Sequence, residues 1–186
     1  MDGRQQQITG VEIVNALIRI LSPFYDLRKD AELLGETVPL MAQSRLTVQH
    51  YALSKKLILE QSHLSDSLFF WIQTTCPPFV WFAERFHWLR EVQQNNAPEP
   101  GHFRSRFIGI VLIPDAPVPS LRRQLSRYHH FRWLRFGFNG MSESFLLTYA
   151  WAEGKWYGNR RGREFASLFA RLNRELQETG QPIQEE

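Results

Sequence analysis

The chain has 186 residues, of which 43% are apolar, 22% charged and 13% aromatic, and its formal net charge is +3. That apolar share offsets the ordering entropy that keeps disordered chains open, and 10 Pro and 11 Gly are too few for a collagen-like or low-complexity polymer. A lone cysteine, Cys76, excludes an internal disulfide, a zinc ribbon, an iron–sulfur cluster and CxxC redox chemistry.

Apolar residues at Val11, Val14, Leu17, Ile18 and Leu21 recur at helical spacing behind Thr9, a candidate cap, and Pro23 follows. Residues 24–45 are mixed in character, and only a short helix around Leu33-Leu34 is expected there. Leu46 to Leu53, Leu57 to Gln61 and Leu68 to Thr74 are short runs rich in β-branched and aromatic residues, and read as three consecutive strands of a meander. Pro77-Pro78 precedes a helix over Phe79 to Gln94, because proline is tolerated where an amide has no helical partner. The cluster from Asn95 to Gly101 breaks the chain and is the candidate boundary between two lobes of a single domain, 1–186.

Phe107 to Ile113 is apolar without alternation, as expected of a strand covered on both faces. A proline-rich turn leads to a short basic helix, Leu121 to Tyr128. Two further strands follow, Phe131 to Phe138 and Phe145 to Trp151, joined through Asn139-Gly140. A turn at Glu153-Gly154-Lys155 and a last amphipathic helix from Gly162 to Glu178 complete the order. The predicted architecture is a three-layer α/β fold with a mixed sheet, an αβββαβ core followed by αββα.

Charge is distributed unevenly. Residues 1–83 carry net −1, residues 84–163 net +7 and residues 164–186 net −3. The basic middle is almost all arginine, which suits bidentate contact with phosphate or carboxylate and stacking on flat rings. Arg122, Arg123, Arg127, Arg132 and Arg135 lie beside Trp133, and Arg160 and Arg161 beside Trp156 and Tyr157. Guanidinium groups next to rings are the ingredients of single-strand or RNA contact. The opposing reading has the aromatics alternating into the core while the arginines face water.

Catalytic and cofactor signatures are weak. The six histidines have no i, i+4 pairing beside carboxylates, no Gly-x-Ser-x-Gly elbow occurs, and the glycines are too scattered to cradle a phosphate. His129-His130 is expected to face solvent or phosphate. No apolar run is long enough to span a bilayer and no signal peptide is recognised, so a cytoplasmic protein without cofactor is expected.

Over residues 11–113 the order αβββαβ resembles the core of the restriction-endonuclease-like, PD-(D/E)XK, fold group. That resemblance implies an acidic residue on the second strand and an acid-x-Lys on the third, which together hold Mg²⁺ and activate water. Glu60 would occupy the second strand, but the third reads Ile72-Gln73-Thr74-Thr75, so Gln73 replaces the acid and the lysine is absent. The implied catalytic motif is degenerate. The leading expectation is a non-catalytic binding or accessory protein whose Arg/aromatic-rich surface meets nucleic acid. The alternatives are an assembly factor docking on an acidic protein surface and a divergent metal-dependent nuclease.

Overall fold

The computed structural model describes residues 9–51, 58–96, 102–134 and 140–179; for residues 45–51, 58–63, 102–103 and 179 only the backbone is described. In chain order the elements are α1 (Gly10–Leu21), β1 (Asp26–Leu33), β2 (Glu36–Tyr51), β3 (Ile58–Ile72), α2 (Phe79–Asn95), β4 (His102–Ile113), α3 (Pro119–Leu125), β5 (His129–Trp133), β6 (Met141–Ala150), β7 (Lys155–Gly158) and α4 (Ala166–Thr179). A 3₁₀ turn, Arg160–Phe165, leads into α4.

The strands form one mixed sheet in the order β1-β2-β3-β4-β6-β5, with β7 also paired to β6. β3, β4 and β6 run parallel, and the remaining pairs are antiparallel. The first half of β6 pairs with β5 and its second half with β7, so these two short strands lie end to end along one side of it. Their junction is closed by the Tyr128 carbonyl, which accepts from Leu146 N at 3.3 Å and from Asn159 Nδ2 at 3.2 Å.

The three predicted layers are present. α1 and α4 cover one face, where Ile13, Leu17, Phe169 and Leu172 pack on Leu68, Ile110, Phe145 and Tyr149. α2 and α3 cover the other, where Phe82, Leu89 and Leu121 pack on Phe69, Val111 and Leu146. β4 is buried on both faces, as its unbroken apolar run requires. Gly109 lets α2 approach it: a Cβ there would stand 2.7 Å from Leu89 Cδ1 and 3.1 Å from Trp71 Cζ3.

α1 begins as its sequence indicates. Thr9 Oγ1 accepts from Glu12 N, and the Glu12 carboxylate accepts from Thr9 N at 2.6 Å, a reciprocal cap. These bonds hold the Glu12 carboxyl below the usual carboxylate range.

The first three strands differ from expectation in position. Residues 24–45 hold no helix; they form β1, its turn and most of β2. Leu34 and Gly35 have φ of 50° and 75°, so both turn residues are left-handed and the hairpin closes in two residues. β1 is an edge strand with charged residues on its exposed positions, which hides its alternation. The runs expected at 57–61 and 68–74 meet in one strand, β3, which takes in residues 58–61 of the first and 68–72 of the second, with Ser62 to Ser67 continuing its backbone instead of breaking it; Leu57 lies outside the described residues. Between the pairs Lys29–Leu40 and Ala31–Val38, Asp30 turns left-handed at φ 46°. The hairpin tip therefore bends from the α1 side, where Leu27 packs, to the α2 side, where Leu33 packs. There Trp88 Nε1 donates to the Leu33 carbonyl at 3.2 Å and Arg85 pairs with Glu36 at 2.6 Å.

Ala97 to Gly101 lie outside the described residues, but β3 before them and β4 after them are adjacent partners in the same sheet. No helix among the described residues is long and apolar enough to cross a membrane.

Candidate binding surface at the open edge of the sheet

At the end of the sheet where the parallel strands begin, polar residues replace the apolar core on both faces. On the α4 side the register aligns Ser44, Asp66, Arg106 and Glu143 across β2, β3, β4 and β6. Arg106 Nε donates to Asp66 Oδ1 at 2.6 Å, and its terminal nitrogens reach Asp66 and Glu164, with the Phe165 ring 5.7 Å beneath. Burial opposes the Arg106 charge, but Asp66 and then Glu164 outweigh it and raise the guanidinium pKa above its ordinary value. The buried Glu143 carboxylate lies 3.2 Å from His129 Nε2 and 3.4 Å from Arg161 Nε. Charge in this row is matched internally, and its effect is to fasten the 3₁₀ turn to the sheet. Among the described residues no group of three or more His, Cys, Asp and Glu could hold a metal ion.

The pair expected to carry a Mg²⁺ site does not assemble. Glu60 is on β3, not on the second strand, and Gln73 directly follows the end of the same strand. An extended run from Glu60 to Gln73 places them about 40 Å apart. The Glu60 side chain lies outside the described residues.

On the α2 side the same end of the sheet carries serines. Ser65 donates to Ser105 at 3.2 Å, and Gln43 donates to Ser67 at 3.4 Å. Further along, Gln93 Oε1 accepts from Ser144 Oγ at 3.0 Å and lies 2.8 Å from His130 Nδ1. Because that oxygen can only accept, the His130 proton is assigned to Nδ1. Burial first, then the charges of Arg90, Arg132 and His129, lower the His130 pKa. Three buried groups beside this cluster that can donate, Gln93 Nε2, Ser142 Oγ and Arg90 Nε, have no hydrogen-bond partner among the described residues. Each such orphan costs about 1–3 kcal/mol.

β5 is the open edge of the sheet. Phe131 and Trp133 project to the α4 side and are 37% and 62% exposed, their rings 5.0 Å apart and edge to face. His130 and Arg132 project to the α2 side. The other edge is guarded differently, since β1 presents Arg28, Lys29, Asp30 and Glu32 to solvent, charges that discourage another strand from adding.

The ten residues expected to form one binding surface are divided between the two faces. Alternation along a strand sends sequence neighbours to opposite sides. Arg122 is stacked 4.7 Å over Tyr157 on the α3 side, with its Nε bonded to the Pro117 carbonyl. Trp156 is on the opposite face, half-buried against Phe169. Arg161 is committed to Glu143 and Glu164. Arg123, Arg127, Arg132 and Arg160 are exposed, and Arg135 lies outside the described residues. The side chains that gather along the β5 edge fall on its two sides, Phe131 and Trp133 toward α4 and His130, Arg132 and Arg90 toward α2, and they include residues the charge pattern alone did not select. Gln93, Ser142 and Ser144 were also missed; Met141-Ser142-Glu143-Ser144 has the composition of a loop, yet it is the first half of a buried strand.

No curated protein and no solved structure matches the chain significantly. One family profile does match, over residues 10–171, a span that reaches from α1 into α4. The chain belongs to that family, described as Domain of unknown function (DUF8052).

Proposed function

We propose that this chain is a non-catalytic binding protein whose docking surface is the β5 edge, and that single-stranded nucleic acid is the partner its chemistry fits best. The observation that carries this reading is the pairing of two functions on one short strand. Trp133 and Phe131 offer exposed ring faces on one side of this edge strand, and Arg132, on its other side, has no carboxylate partner among the described residues. Bases stack on such rings without regard to sequence, and guanidinium groups grip the phosphates between them. Arg123 and Arg127, exposed before β5, extend the positive charge.

The test is fluorescence anisotropy with labelled single-stranded and duplex oligonucleotides across a salt series. Single strands bind more tightly than duplex, and the affinity falls with a log–log slope of about −0.7 for each phosphate contacted. Trp133→Ala weakens binding by about 1–3 kcal/mol while leaving the unfolding midpoint unchanged, since the ring is largely in water. Binding that ignores salt, or that survives Trp133→Ala intact, refutes the reading. A second reading, a protein segment that adds a strand to β5, draws on the unpaired backbone edge; salt-resistant co-purification abolished by proline within β5 would favour it.

A further inference from the structure

We infer that the corner between β5, β6 and α2 is a seat for a phosphate group, formed by Arg90, Arg132, Ser142 and Gln93. Arg132 and Ser142 are direct partners in the β5–β6 register, as are His130 and Ser144. All four therefore share the α2 face of the sheet, and Gln93 closes over them through its bonds to His130 and Ser144. Every group left over can donate. Among the described residues, Gln93, 2% exposed, has no acceptor for its Nε2, Ser142, 3% exposed, has no partner for its Oγ, and the buried Arg90 Nε has none.

Water could answer one orphan, but it would leave two guanidinium charges facing one imidazole. A tetrahedral oxyanion answers all of them, because it has acceptors in several directions and charge of the opposite sign. Every charged group that acts on His130 is basic: Arg90 from α2, and Arg132 and His129 from β5. Among the described residues, Glu91 of α2 pairs with His87, and Glu143 of β6 pairs with His129 on the opposite face of the sheet. The end of α2 contributes partial negative charge from its last carbonyls. Occupancy therefore depends on both arginines.

Sulfate is the simplest probe, since its charge does not change over the range in which His130 titrates. An anion in the seat reverses the electrostatic pressure on His130 and raises its pKa. Sulfate affinity then increases as pH falls from the liganded pKa of His130 to its free one. The experiment follows the His130 ring resonances of the full chain during sulfate titration, with chloride at equal ionic strength as the control.

The expected result is a saturable, sulfate-specific shift that Arg132→Gln weakens about tenfold or more. Ser142→Ala weakens it several-fold without loss of stability, because the hydroxyl has no partner among the described residues to lose. Identical titrations in sulfate and chloride, or an Arg132→Gln variant that binds sulfate like the parent, overturn the inference. A 5′-phosphorylated oligonucleotide that displaces sulfate better than its 5′-hydroxyl counterpart supports the seat and assigns it to a chain end; equal displacement supports it and assigns it to backbone phosphates. The seat stands apart from the single-strand reading, as Trp133→Ala weakens oligonucleotide binding but not the sulfate response.

Discussion

Arg106→Met separates a structural ion cluster from a reactive one. The guanidinium makes two charge-assisted hydrogen bonds to Asp66, through Nε to Oδ1 and through a terminal nitrogen to Oδ2, and one to Glu164. Methionine preserves the aliphatic stem and removes all three. The two carboxylates left behind are not equivalent, because the Asp66 side chain is 17% exposed and that of Glu164 is 43% exposed. Glu164 turns to water, so its loss costs roughly 1 kcal/mol or less. Asp66 is stranded, largely buried, beside Tyr25 and Ser44, and breaking a buried pair from one side costs about 3–5 kcal/mol. Urea unfolding of Arg106→Met is therefore expected to lose about 3–5 kcal/mol with an unchanged m-value. Adding Asp66→Asn removes the stranded charge and recovers about 1–2 kcal/mol. The double variant is more stable than Arg106→Met alone, a non-additivity diagnostic of direct coupling. Oligonucleotide affinity, measured on folded protein, stays unchanged. A loss no larger than that of Glu164→Gln, or no recovery with Asp66→Asn, would refute the reasoning.

Two further substitutions test the packing and the helix start. Gly109→Ala places a methyl group 2.7 Å from Leu89 Cδ1, pushes α2 off the sheet and costs about 1–3 kcal/mol, read as a lowered thermal midpoint; an unchanged midpoint would show that α2 can shift freely. Thr9→Ala removes the two Oγ1 bonds of the α1 cap while the residue 9 N–H still donates to Glu12, and costs about 1 kcal/mol at neutral pH. The Glu12 carboxyl is depressed in the folded state, so its share of this stability is present above its unfolded pKa and fades as pH falls through the lower folded value. The gap between parent and Thr9→Ala should accordingly narrow in acid, which urea midpoints at several pH values would reveal.

Local pattern was sufficient where one periodicity ran uninterrupted between clear stops. α1 and α2 are legible from apolar spacing together with Thr9, Pro23 and Pro77-Pro78, and β4 from its unbroken apolar run. β1 was not legible, because an edge strand faces water and can carry Arg28, Lys29, Asp30 and Glu32, and because a leucine occupies the left-handed first position of its turn. β3 was cut in two for a related reason. Its polar middle, Ser62 to Ser67, looks like a linker until Arg106 and Ser105 are placed beside it.

The candidate surface divides the same way. Sequence determined that the middle of the chain is rich in arginine and aromatic residues, that Phe131 and Trp133 share one side of a strand, and that Arg132 is on the other. Tertiary structure decided which of those side chains remain available. Arg161 is spent on Glu143 and Glu164, and Arg122 is laid over Tyr157. Gln93 reaches from α2 to His130 and Ser144, and Ser142 pairs with Arg132 across β5 and β6. Period-two alternation fixes the side of a strand on which a residue lies, but its partner across the sheet is set by strand order and register. Those arise only when the hydrophobic faces of all the elements are buried together.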